Sequence, residues 1–99
     1  MYKIYLSPQA IFDLELIFDY TVENWSFNTA QKYQDEVFSR FKLASKNPEI
    51  GQPYLHKTGN YRKLKSGRHL IFYRPNDKEG RIEIVRILHE KMDLKSQFE

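Results

Sequence analysis

The sequence predicts an α+β fold in which an antiparallel helical hairpin packs on a mainly antiparallel sheet, in the order β-α-α-β-β-β. Three observations lead to this prediction. Two long segments have apolar residues at helical spacing, a short alternating segment precedes them, and turn residues separate three strand-like segments after them. The composition has no internal break, and 99 residues suffice for one core but not for two. We therefore expect residues 1–99 to form a single domain.

The N-terminal part predicts a strand followed by a helix. Side-chain polarity alternates over residues 2–6, which is typical of a short strand. Ser7 and Pro8 then indicate a helix start, because serine is a favoured N-cap and proline is tolerated at the first helical position. The helix should end at Trp25. Its predicted core residues are Ile11, Leu14, Phe18 and Trp25, broadened by Ala10, Ile17 and Val22.

A second helix should begin after the N-cap candidate Ser26. It should end near Lys46, because the residue before Pro48 is driven out of the α region. The link between the two helices is so short that they should form an antiparallel hairpin. The predicted core residues of the second helix are Ala30, Tyr33, Val37, Phe41 and Ala44.

The C-terminal half predicts a loop and three strands. Proline and glycine residues mark residues 47–60 as a loop, and residues 61–65 and 68–74 flank Ser66-Gly67 as a tight β-hairpin. After a turn at residues 75–80, the strand at 81–89 is apolar on both faces and should be central. We expect Ile82, Ile84 and Leu88 on one face, and Val85 and Ile87 on the other.

Several chemistries are excluded or unsupported by the composition. The chain has no cysteine, so it can form neither a disulfide nor a thiolate metal site. His56, His69 and His89 are too scattered for a recognisable metal site, and the four glycines form no phosphate-binding loop, so we expect no metal and no cofactor. Without an apolar signal segment or a long apolar run, the protein should be cytoplasmic rather than secreted or membrane-spanning.

Charge is distributed unevenly along the chain. Residues 1–50 carry five Lys/Arg and seven Asp/Glu, and residues 51–99 carry eleven and six, so the halves have charges of −2 and +5. No acidic residue occurs between Ile50 and Asn76. A basic half attracts nucleic acid, an acidic protein segment or an enzyme bound to nucleic acid, and charge alone does not choose among them. A solvated basic face is the alternative interpretation.

Four segments resemble a ParE-type toxin of the RelE/ParE superfamily, and together they span nearly the whole chain. The last of them is similar to ParE toxins in particular. The segments are Ser7-Pro8-Gln9-Ala10, residues 19–26, Gly67-Arg68-His69-Leu70-Ile71-Phe72-Tyr73-Arg74 and Arg86-Ile87-Leu88-His89-Glu90-Lys91-Met92-Asp93.

The resemblance implies the toxin of a bacterial type II toxin–antitoxin system, of the kind that serves plasmid stabilization. Such a toxin inhibits DNA gyrase by binding and is neutralised by a cognate ParD-like antitoxin. It would contact DNA only indirectly, through the antitoxin or gyrase, as a homodimer or as a heterotetramer with the antitoxin. The predicted target-binding residues lie in the basic, aromatic final strands: Arg62, Lys63, Arg68, Arg86, His89, Met92 and Asp93.

The alternative function is that of a RelE-like ribosome-dependent mRNA endonuclease, whose catalytic candidates here are Arg62, Arg68, Arg86 and His89. Many such nucleases have a tyrosine or a His-Tyr pair near the C-terminus. In this chain Glu90 follows His89, and no tyrosine occurs after Tyr73, which favours gyrase as the target. His89 is equally compatible with a structural role at the end of a strand.

An outward apolar strip on the first helix predicts a protein interface. Phe12, Leu16 and Tyr20 recur every four residues, roughly opposite the predicted core residues. Cover from the C-terminal tail through Phe98 is one explanation. Antitoxin binding or self-association is the other, because exposed apolar strips rimmed by charge commonly mark interfaces. The rim residues are Asp13, Asp19 and Glu23.

Overall fold

A computed structural model describes residues 1–94, in which two helices pack on one face of a five-stranded sheet. The strand order is β1-β5-β4-β3-β2, with β1 parallel to β5 and every other pair antiparallel. This arrangement confirms the predicted α+β fold. The elements are β1 (Lys3–Leu6), α1 (Pro8–Asn24), α2 (Phe27–Lys46), β2 (Gln52–His56), β3 (Gly59–Ser66), β4 (His69–Asn76) and β5 (Arg81–His89).

Both helices begin at the serines that the sequence indicates. The Ser7 side chain accepts a hydrogen bond of 3.0 Å from the Ala10 backbone N–H, and Ser26 accepts one of 3.0 Å from Thr29. Two residues link the helices, so they form the predicted antiparallel hairpin.

The predicted core of α2 is confirmed, but that of α1 is partly wrong. Ile11 and Trp25 are 47% and 67% exposed. Of the predicted residues, Ala10, Leu14 and Ile17 do reach the core or pack against it, and Asp13, predicted on the outward rim, is also buried. The hydrophobic pattern predicts the wrong buried face of α1, because part of that face is formed by the Asp13 carboxylate and not by an apolar side chain.

A strand lies inside the segment that the sequence predicts to be a loop. β2 pairs antiparallel with β3 and places Pro53 opposite Arg62. It is the outer strand of the sheet, where proline is tolerated because one side of the strand needs no ladder hydrogen bonds. The proline that argued for a loop is therefore compatible with an edge strand.

The turn between β3 and β4 occurs at Gly67 and Arg68, one residue later than predicted. Gly67 has φ +58°, a conformation that favours glycine. A Cβ atom on Gly67 would also lie 2.6 Å from the Tyr33 ring. The turn can therefore approach α2 closely.

A β-bulge in β5 overturns the predicted assignment of its faces. Tyr73 is paired with Ile84 but Phe72 with Arg86, so Val85 is an extra residue in the ladder. Beyond Ile84, the bulge therefore reverses which side chains of β5 point to each face of the sheet. Ile87 consequently joins the core formed with the helices, together with Ile82 and Ile84, whereas Leu88 is buried outside that cluster.

The start of α1 covers the edge of β5 where β1 ends. The β1 pairing stops opposite Ile84. Beyond that point the Ser7 hydroxyl donates to the Val85 carbonyl at 2.8 Å, and the Ile87 N–H donates to the Asp13 carboxylate at 2.9 Å. Polar side chains thus replace the missing strand, as buried backbone groups require.

Asp13 also forms a two-point ion pair with Arg86. The Nε and Nη2 atoms of Arg86 donate to the two carboxylate oxygens at 2.9 and 3.0 Å. The hydrogen bond to Asp13 raises the pKa of the Arg86 guanidinium above its ordinary value. Since Asp13 is 7% exposed, this carboxylate depends on its partners to offset the cost of leaving water.

We expect Asp13→Ala to lower the free energy of unfolding by about 2 to 4 kcal/mol, because it leaves Arg86 and the Ile87 N–H without their partner. Urea denaturation measures the change. Asp19→Ala, an exposed site on the same helix, is the matched control and should cost less than about 0.5 kcal/mol. Equal effects of the two substitutions would contradict the structural role of Asp13.

Candidate functional site

A groove runs between the C-terminal half of α1, the start of α2 and the neighbouring ends of β4 and β5. Its two overlapping parts have volumes of about 570 and 390 Å³. We call it the helix–sheet groove. The residues of interest in its lining are Leu16, Tyr20, Trp25, Tyr33, Arg68, His69, His89, Lys91 and Met92.

Tyr33, His69 and His89 form a connected cluster in this groove. The Tyr33 hydroxyl lies 2.6 Å from His69 Nδ1, 2.9 Å from the Ser66 carbonyl oxygen and 3.2 Å from the Arg68 backbone nitrogen. His69 and His89 are directly opposite each other on β4 and β5, and their rings meet edge to face with centroids 5.3 Å apart. The β5 ladder thus brings together two histidines that are twenty residues apart in sequence.

The hydrogen-bond partners of His69 and His89 place the ring proton on different nitrogens. A carbonyl can only accept, so the Tyr33 hydroxyl donates to Ser66 and in turn accepts from His69 Nδ1–H. His69 Nε2 is then unprotonated. At His89, Nδ1 accepts the Lys91 backbone N–H at 3.1 Å, which places the proton of that ring on Nε2. The groove therefore contains one imidazole acceptor and one imidazole donor.

Burial governs the charge state of this cluster. Burial, followed by the nearby His89, lowers the pKa of His69 from 6.5 to about 4. Burial likewise raises the pKa of the Tyr33 hydroxyl above its ordinary value. Both side chains are consequently neutral at pH 7, and His69 is a weak base there.

The structure divides the predicted target-binding residues into two groups. Arg68, His89 and Met92 line the helix–sheet groove. The other four lie outside its lining: Arg62 donates to the Gly51 carbonyl at 2.8 Å, Lys63 lies 5.6 Å from the centre of the Tyr54 ring, Arg86 pairs with Asp13, and Asp93 is exposed after β5.

Two cations of the groove have no acidic partner within residues 1–94. Neither Arg68 nor Lys91 forms an ion pair there, and no carboxylate is among the lining residues. A backbone hydrogen bond of 2.9 Å from the Glu90 N–H to the Arg68 carbonyl holds the two segments together. The Glu90 side chain itself lies 3.7 Å from Lys65. The groove thus has a local positive charge.

The predicted antitoxin-binding strip is exposed. Phe12, Leu16 and Tyr20 are 59%, 52% and 60% exposed. Leu16 and Tyr20 also line the helix–sheet groove, so the strip continues into it. Phe98, which the sequence suggests as a possible cover, lies outside the described residues.

Sequence reasoning missed several groove residues. The helical spacing of Tyr33 and Trp25 predicts core positions for both. Lys91 stands out in the sequence only as part of the segment from Arg86 to Asp93. His69 carried a usable signal: pairing the two final strands through their turn brings it opposite His89. The orientation of Trp25 had no such signal, because it depends on the rotation of α1.

Residues 1–94 contain neither a cluster of metal ligands nor a membrane-spanning helix. No group of three or more His, Asp or Glu side chains is arranged to hold a metal ion in that part of the chain. Across the same residues, neither helix has the length and apolar character needed to cross a membrane.

Known proteins match nearly the full length of the chain. The family model described as "ParE toxin of type II toxin-antitoxin system, parDE" matches residues 4–94. Toxin ParE1 of Mycobacterium tuberculosis is 40% identical over 89 residues, covering 90% of each chain. Toxin ParE1 of Caulobacter vibrioides is 33% identical over 93 residues, covering 94% of each.

Solved structures share the fold. A chain from the chromosomal ParDE toxin–antitoxin system of P. aeruginosa aligns with a TM-score of 0.74 at 20% identity, covering 90% of this chain and 96% of that one. A chain of the toxin–antitoxin complex RelBE2 from Mycobacterium tuberculosis aligns with a TM-score of 0.61 at 18% identity, covering 89% and 96%. At these identities the likeness concerns the fold alone.

The lowered pKa of His69 predicts a pH-dependent stability. Below pH 6.5 the unfolded chain binds a proton at this residue, but the folded chain does so only near pH 4, so stability should fall as the pH drops between these values. We expect the wild type to lose about 2 to 3 kcal/mol more than His69→Gln between pH 7.5 and 4. Urea denaturation across this range measures the difference, and parallel profiles would refute the assignment.

Proposed function

Since the chain belongs to the ParE family of toxins from type II toxin–antitoxin systems, we propose that it inhibits DNA gyrase by binding and that a cognate ParD-like antitoxin neutralises it. Its site of action is the bacterial cytoplasm. The main observation in support is the helix–sheet groove, where Arg68 and Lys91 lie beside exposed aromatic and apolar side chains without an acidic partner in residues 1–94. Such a surface is suited to docking on an acidic partner.

The same groove is poorly suited to acid–base catalysis. An mRNA endonuclease needs a base for the ribose hydroxyl and an acid for the leaving oxygen, both matched to neutral pH. His69, with a pKa of about 4, is a weak base. Nδ1 of His89 already accepts the Lys91 N–H, so a second proton on that ring requires breaking this bond. Of the catalytic candidates, Arg62 and Arg86 are engaged in structural contacts.

Neutralisation follows from the position of the exposed strip. An antitoxin segment that covers Leu16 and Tyr20 enters the groove that contains Arg68 and Lys91. A disordered segment with both apolar and acidic residues fits this surface, because it folds on binding and can cover a long strip. We propose that the antitoxin thereby occludes the surface that binds gyrase.

The first test removes the positive charges of the two groove cations. Arg68→Gln combined with Lys91→Gln should reduce toxicity at least tenfold, because both cations dock the target. Lys32→Gln combined with Lys42→Gln removes the same charge from the exposed face of α2 and should leave toxicity unchanged. Growth arrest, gyrase-dependent DNA cleavage and transcript integrity are scored in parallel. Arg62 is unsuitable for this test because its substitution would also remove the hydrogen bond to the Gly51 carbonyl.

His89→Gln separates binding from catalysis. Glutamine keeps a side-chain N–H donor, so a gyrase inhibitor should retain most of its toxicity. A nuclease that uses His89 would lose about 10²- to 10⁴-fold in rate. Ribosome-dependent mRNA cuts that disappear in this variant, without gyrase-linked DNA breaks, would replace the proposal by the nuclease alternative.

The antitoxin interface is tested at Leu16. Leu16→Asp places a charge in the apolar strip and should weaken the complex with the purified antitoxin at least tenfold, as measured by calorimetry. Leu43→Asp, at an exposed leucine of α2 outside the groove, is the matched control. Circular dichroism verifies that both variants are folded. Unchanged affinity of Leu16→Asp would exclude the strip as the interface.

A further inference from the structure

We propose that the helix–sheet groove binds one nucleotide of a single-stranded nucleic acid, with the base against Trp25 and Tyr20 and the phosphate between Arg68 and Lys91. This inference goes beyond gyrase inhibition, because it assigns a direct nucleic-acid contact to the toxin. It replaces the expectation from the sequence that DNA is met only through the antitoxin or gyrase. It stands on the groove itself and does not require gyrase to be the target.

The first argument is the distribution of the arginines. Arg68 differs from the other five, because its guanidinium contacts no carboxylate or carbonyl group within residues 1–94. Elsewhere Arg74 and Arg81 share Glu83, Arg86 pairs with Asp13, Arg62 donates to the Gly51 carbonyl, and Arg40 donates to the Lys65 carbonyl. Five guanidiniums therefore stabilise the fold, and Arg68 is available for an external anion.

Lys91 is the second cation of the groove. The hydrogen bond from Glu90 N–H to the Arg68 carbonyl brings Lys91 beside the turn, and both side chains line the same groove. The Glu90 side chain lies 3.7 Å from Lys65 and is absent from the lining. Two cations that line one groove without a carboxylate in its lining are suited to a phosphate, which accepts several charge-assisted hydrogen bonds.

The second argument is the pair of aromatic rings beside these cations. Tyr20 and Trp25 are 60% and 67% exposed, and their ring centroids are 6.1 Å apart. Both line the groove with Arg68 and Lys91. Exposed aromatic rings beside a basic groove are the usual platform for the bases of single-stranded nucleic acids. A volume of about 570 Å³ leaves room for one nucleotide.

The two histidines add polar contacts to the groove. His69 offers an unprotonated Nε2 and His89 a protonated Nε2, as their Nδ1 hydrogen bonds require. A nucleotide presents both donors and acceptors on its base and acceptors on its phosphate. A purely acidic peptide matches the cations too, but it has no planar group to stack on the ring faces, so the nucleotide accounts for more of the groove.

Trp25 makes the proposal directly measurable, because it is the single tryptophan of the chain. The full-length toxin is titrated with ten-residue oligo-dT and oligo-U while its fluorescence is recorded. We expect quenching by at least one of them, with an affinity that falls with salt. One neutralised phosphate predicts a slope of about −0.7 in log K against log salt. The two arms distinguish DNA from RNA.

Variants link this binding to the proposed contacts. Anisotropy of a labelled oligonucleotide should show about tenfold weaker binding for Arg68→Gln and for Lys91→Gln, each with a smaller salt slope. Trp25→Ala should weaken binding about ten- to hundredfold through lost stacking. Lys42→Gln and Phe38→Ala change a cation and an exposed aromatic residue outside the groove and should bind like the wild type. Unfolding midpoints verify that the variants are folded.

Three results would overturn the proposal. The first is the absence of quenching and of anisotropy change at 100 µM oligonucleotide, on the order of the weak affinities of non-specific binding. The second is binding that all three groove substitutions leave unchanged. The third is equal competition by a ten-residue oligoglutamate, which would identify the groove as a site for acidic peptides. Gyrase inhibition is scored separately, so its loss or persistence does not affect this test.

Discussion

The Asp13 carboxylate is the interaction on which the arrangement of this molecule depends. β1 is too short to cover β5, and Asp13 supplies the missing acceptor to Ile87 while neutralising Arg86. This contact fixes the rotation of α1, because a helix cannot bury Asp13 without turning its neighbours. Tyr20 lies seven residues later, about two turns on, and therefore on the same side of α1 as Asp13. A contact inside the fold thus sets the aromatic wall of the groove.

Electrostatic pairing explains why a broadly basic half of the chain yields a local site. Asn76, Arg74 and Arg81 surround Glu83 and lower its pKa to about 2, so this carboxylate stays charged and holds both arginines on the sheet. The charge excess seen in the sequence is consequently not spread evenly over the surface. Within residues 1–94, Arg68 and Lys91 are two cations without an ion pair that share one groove, where the β3–β4 turn meets the end of β5.

The sequence predicts the parts of this fold that local chemistry determines, and it misses those that pairing determines. Serine caps located both helices, and turn residues located the final hairpin to within one residue. The β-bulge at Val85, the edge strand containing Pro53 and the inward rotation of Asp13 all depend on partners distant in the chain. The candidate site divides in the same way. The residue types of Arg68 and His89 identify them as candidates from the sequence. The helical spacing of Trp25 instead predicts a core position, and only the rotation of α1 exposes its side chain in the groove.

The shared location of the strip and the cations constrains every ligand of the groove. A partner that covers Leu16 and Tyr20 also removes water from Arg68 and Lys91, and this desolvation is unfavourable unless the partner supplies negative charge. An antitoxin segment must therefore place acidic residues next to its apolar ones, whereas a nucleic acid brings phosphates next to its bases. On the two proposals, both ligands would contact the same residues, so binding of one would exclude the other. This exclusion would follow from the geometry of the groove and would need no conformational change in the toxin.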